Sequence, residues 1–196
     1  MATTLKEISE YLDSQNLKYE THADQDYILT GFKTTTYKNN DGKDQLLIVI
    51  KLEENGEFLK MFTPKAYQYK EGPNLGVVLQ ACMFVSWRTK MLQYEFDPTD
   101  GEIRAVIEFP LEDARLTKKQ FMRVLMAIPE LLERYDPMIR GAIANGKVAL
   151  GDDPDSAFLE ILGNLSTMTP EQVKALLDDI KRRGGGEKDG QGPARL

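Results

Sequence analysis

Three clusters of turn-forming residues sit between apolar stretches that lie too close together for anything but hairpins. They are Asn39-Asn40-Asp41-Gly42, Glu54-Asn55-Gly56 and Asp97-Pro98-Thr99-Asp100-Gly101. Asn-Gly and Asp-Gly pairs accept the positive φ of tight β-turns, and a parallel crossover would need a dozen residues or more. The extended segments at about 26–36, 44–53, 56–63, 91–96 and 102–110 are therefore expected to form an antiparallel sheet of about five strands. The unbroken apolar run Leu46–Ile50 marks a central strand. In the last segment Ile103, Ala105, Ile107 and Phe109 alternate with Glu102, Arg104 and Glu108, so one face is buried and the other wet.

Helical periodicity surrounds these strands, and the fold class is α+β with helices packed on the sheet. Leu5, Ile8, Tyr11 and Leu12 define a first amphipathic helix over about 4–15. A second runs over about 74–88 and is apolar on both faces. Leu75, Val78, Leu79, Cys82 and Val85 make one face, and Val77, Ala81, Phe84 and Trp87 make the other. The sheet can cover one face only; the second needs another layer of this chain, a second copy, or a partner. Thr117 and Gln120 have capping-box spacing for a third helix whose inward stripe is Phe121, Val124, Leu125 and Ile128. Pro129 is expected to kink or restart that helix, and Asp136-Pro137 to open a short separate one ending at Asn145-Gly146.

Composition shifts near residue 148. Between 148 and 180 one basic residue, Lys174, faces seven acidic ones, and short helices are expected over about 154–163 and 170–183. The glycine-rich remainder reads as a flexible tail. The expected organisation is an α+β domain over 1–147, an acidic helical extension over 148–183 and a tail over 184–196.

With 196 residues, 41% of them hydrophobic, the chain can bury a core without metal or disulfide support. One cysteine, Cys82, and one histidine, His22, provide no disulfide framework and no zinc set. A formal charge of −6 argues against nucleic-acid or anionic-membrane binding. No apolar leader or spanning stretch is visible, so a cytoplasmic location is expected.

Candidate catalytic groups have plainer readings. His22 lies in a polar connection with no nucleophile motif, and Cys82 reads as a small buried hydrophobe. Asp97, Asp100 and Glu102 crowd one turn and Asp152, Asp153 and Asp155 another; neither set has EF-hand order, and both read as turn and capping residues. Lys181-Arg182-Arg183 complements a helix C-terminus. No GxGxxG or P-loop spacing occurs, so no catalytic residue, cofactor or metal is expected. Tyr67 and Tyr69, interleaved with Lys65 and Lys70, read as margin residues of a protein contact centred on Val77, Phe84 and Trp87.

The stretch from Leu92-Gln93-Tyr94-Glu95-Phe96-Asp97-Pro98 through Asp100-Gly101-Glu102, Arg104, Glu108 and Pro110-Leu111-Glu112-Asp113 to Leu116-Thr117 and Gln120-Phe121 resembles the strand–turn–strand–helix signature of YbjN-like proteins. That family has the type III secretion chaperone-like fold. The resemblance covers about residues 1–147, and the first ninety or so match by pattern only. It implies a small bacterial protein that binds other proteins, often as a homodimer, with the middle helix packed across the two-fold. In plan the chain is similar to a cyanobacterial assembly chaperone for carboxysome shell proteins. The leading expectation is a non-catalytic assembly or escort chaperone that binds a segment of a client protein. The alternative is a regulatory adaptor acting through protein contacts, and a third is an enzyme whose carboxylates only look like turn residues.

Overall fold

The computed structural model describes residues 2–148 together with Thr169, Glu171 and Lys174. The chain divides into two units, Met1–Ala149 and Leu150–Leu196. The helices expected at about 154–163 and 170–183, the tail, the Lys181-Arg182-Arg183 run and the cluster Asp152, Asp153, Asp155 lie outside the described residues, except that Glu171 and Lys174 are helical.

Helix α1 (Leu5–Asp13) opens with a capping box, in which the Glu7 amide donates to the Thr4 hydroxyl and the Thr4 amide to the Glu7 carboxylate. Its inward residues Ile8 and Leu12 are fully buried. Strands β1 (Tyr19–His22), β2 (Tyr27–Lys33), β3 (Gln45–Glu53) and β4 (Phe58–Gln68) follow, then helix α2 (Leu75–Arg88). Strands β5 (Gln93–Asp97) and β6 (Glu102–Pro110) and helix α3 (Lys118–Asn145) complete the unit. The sheet is antiparallel throughout, in the order β1-β2-β3-β4-β6-β5, with the apolar strand β3 inside it as its sequence requires.

Six strands form where five are expected. The addition is β1, whose four residues Tyr19, Glu20, Thr21 and His22 carry too little apolar signal to be read as a strand; pairing with β2 defines it. Register aligns Ile28, Ile50, Met61 and Ile107 across four strands, all fully or almost fully buried. Because side chains alternate along a strand, this face is the one the helices cover. Helix α3 packs on β4 and β6 and touches both α1 and α2, and α2 also packs on β5.

The third helix departs most from expectation. Pro129 and Pro137 both lie inside one continuous 28-residue helix, with no restart at Asp136. A proline has no N–H, so Pro137 leaves the carbonyl of Glu133, four residues back, without its helical donor. The hydroxyl of Thr36, in the loop between β2 and β3, lies 3.1 Å from that carbonyl and shares its one proton between it and the Glu133 carboxylate. The same loop fastens to the Glu133 carboxylate through the amides of Thr35, Thr36 and Tyr37. Thus a tertiary contact replaces the missing helical bond. The expected capping box at Thr117 and Gln120 forms, and the helix stops as expected at Gly146, whose φ of 63° suits a residue with no Cβ.

Candidate functional site

Helix α2 is held at its start by Asn74, whose side-chain amide donates to the Ile143 carbonyl of α3 at 3.1 Å, while the Asn74 amide donates to the Tyr69 hydroxyl. Tyr69 is half-buried there and orients the approach to the helix. On the β5 side, the Ser86 hydroxyl donates to the Cys82 carbonyl and accepts from the Tyr94 amide. The sheet-facing positions Val78, Cys82 and Val85 are buried, as read from the periodicity. Burial pushes the Cys82 thiol pKa up to about 12, which leaves it an inert hydrophobe.

The second apolar face divides. Ala81 and Phe84 lie on the flank of α2 turned away from Ser86, and both are buried; Phe84 is 7% exposed. The stripe expected to await a partner is therefore partly closed within this chain. Val77 is half-buried on the same flank. Trp87 and Met83 project outward, 70% and 73% exposed, and Met91 follows just past the helix end. The Trp87 ring rests 6.0 Å from that of Phe84, so the exposed indole continues from a buried anchor. Large exposed aromatics on a rigid helix are the groups that supply contact area at low entropic cost.

Tyr67 is corrected by the structure. It is 1% exposed and belongs to the core, where its hydroxyl donates to Asp136 Oδ1 at 3.1 Å. Arg140 Nε reaches both Asp136 oxygens at 3.0 Å, and its guanidinium lies over the rings of Tyr37 and Tyr67. Burial raises the Asp136 carboxyl pKa, with Arg140 and Tyr67 acting the other way. Burial likewise raises Tyr67 far above the ordinary phenol range. Sequence gave no sign of this cluster, because Tyr67, Tyr37 and Asp136 come from three distant segments and only the third dimension joins them.

The carboxylates around the β5–β6 turn are occupied with the backbone. Asp97 accepts from the Thr99 amide and hydroxyl, Asp100 from the Glu102 amide, and Glu102 from the Lys65 amide. These bonds shape the turn, as its proline and glycine suggest. His22 stacks on Tyr27 and lies 3.1 Å from a Glu20 oxygen. Among the described residues no group of three or more His, Cys, Asp or Glu side chains is arranged to hold a metal, and no helix is long and apolar enough to cross a membrane.

Neither a family model nor a curated protein sequence matches the chain. Among solved structures, the fold is similar to that of YbjN from E. coli, at a TM-score of 0.51 and 10% identity over 71% of this chain and 91% of that one. A chain of the HopA1–SchA chaperone–effector complex aligns at a TM-score of 0.42 and 11% identity, over 67% of this chain and 88% of that one. At such identities the first likeness is one of fold.

Proposed function

We propose that this protein is a non-catalytic protein-binding module that escorts or assembles a client, holding a segment of it against the outer side of α2. One observation carries the reading: Trp87 and Met83 stand together in solvent on a helix whose other sides are anchored to β5 and α3. Val77 flanks them and Phe84 supports them from beneath, while Tyr69 holds the helix start. The resemblance to YbjN-like proteins makes a carboxysome shell protein the first client to test, and the binding needs no cofactor or metal. A second reading, a regulatory adaptor, draws on the E. coli structural neighbour, which has been proposed as a transcription regulator.

The test places a photo-crosslinking residue at position 87 and, as control, at 126 on α3, where Met126 is also exposed. The client reading requires crosslinks at 87 to a defined protein, suppression of that protein's aggregation, and loss of both on Trp87→Ala with an unchanged melt. Crosslinks between two copies of this chain would make the face a homodimer interface, and equal labelling at both positions would remove it as a specific site. Binding without any effect on client folding or assembly would favour the adaptor.

A further inference from the structure

The ladder between β3 and β4 stops early. It runs from Glu53↔Phe58 to Val49↔Phe62, and beyond it Pro64 has no N–H to donate toward β3. There β4 bulges between Thr63 and Tyr67, with Lys65 at a φ of 47°, and turns its Lys65 and Ala66 carbonyls to the β2–β3 loop. Asn40 and Tyr37 of that loop donate to them. The parted strands leave a cleft of about 600 Å³, within the usual range for small-molecule sites. Gly31, paired with Leu47, adds to the opening by having no side chain.

The lining has two chemistries. Leu47 and Pro64 are apolar, and Leu47 is an exposed leucine in a strand. Lys33 and Lys65 stand at the cleft against the single carboxylate of Asp41, and neither lysine is ion-paired among the described residues.

We propose that this cleft binds a small amphipathic carboxylate, its apolar chain against Leu47 and Pro64 and its carboxylate between Lys33 and Lys65. Octanoate is the probe, titrated into the full chain and followed by amide resonances in NMR, with octanol and inorganic phosphate as separate arms. Octanoate should shift residues 31–33, 45–47 and 63–65 at saturation, and the other two should bind at least tenfold more weakly, since each offers half of the recognition. Lys33→Ala and Lys65→Ala, both at exposed positions, should each weaken octanoate about threefold to tenfold with an unchanged melting temperature. Octanol binding as tightly as octanoate, shifts centred on α2 instead, no saturable shift, or indifference to the lysine variants would each overturn the assignment.

Discussion

Replacing Glu133 by alanine should lower stability by about 2 kcal/mol, because one carboxylate fastens the β2–β3 loop to α3 at the proline gap. It accepts from the Thr35 amide at 2.5 Å, the Thr36 amide at 2.7 Å and the Tyr37 amide at 3.2 Å, and from the Thr35 and Thr36 hydroxyls. Burial opposes the charge, yet the Thr36 hydroxyl and these amides hold the Glu133 pKa down to about 2 from an ordinary 4.5. Taken at full value that shift is worth about 3.4 kcal/mol, and screening of a partly solvated side chain reduces it to about 2 kcal/mol. A depressed carboxyl pKa stabilises the fold fully above the unfolded value of 4.5, and the stabilisation fades as pH falls toward about 2. Thermal melts of wild type and Glu133→Ala should therefore differ by about 4–8 °C at pH 7, the gap narrowing below pH 4.5 and closing only as pH falls below about 2. A Glu133→Ala melt within 1 °C of wild type at pH 7, or a deficit undiminished at acid pH, would refute the reasoning.

Three further outcomes separate core from surface along α2. Val78 is fully buried, so Val78→Asp places an unpaired charge in the core and should abolish the cooperative melt seen by circular dichroism. Phe84→Ala should cost about 3–4 kcal/mol in urea unfolding, whereas Trp87→Ala should stay within about 0.5 kcal/mol of wild type and weaken client binding by roughly 30- to 1,000-fold. With its thiol pKa near 12, Cys82 should resist a thiol-specific chromogenic reagent at pH 8 until urea unfolds the protein; prompt labelling of the native state would contradict its burial.

Features written in neighbouring residues were legible from the chain alone. The hairpins at Asp41-Gly42, Asn55-Gly56 and Asp100-Gly101, the box at Thr117 and Gln120, the Gly146 stop and the buried Val78–Cys82–Val85 stripe depend on backbone freedom and spacings of three to seven residues. With the short connections they determined an antiparallel α+β fold. That Phe84 is covered within this chain could not be read this way, since periodicity shows that a face is apolar without saying whether the same chain or another molecule meets it. Tyr67 was misplaced for the same reason: its hydroxyl finds Asp136 across 69 residues of sequence. Nor could local rules anticipate an unbroken α3, because Pro137 removes a bond within the helix and a threonine 97 residues from Glu133 replaces it. Local sequence sets which backbone conformations are cheap, while the partners of buried polar and apolar groups are chosen only when distant segments pack.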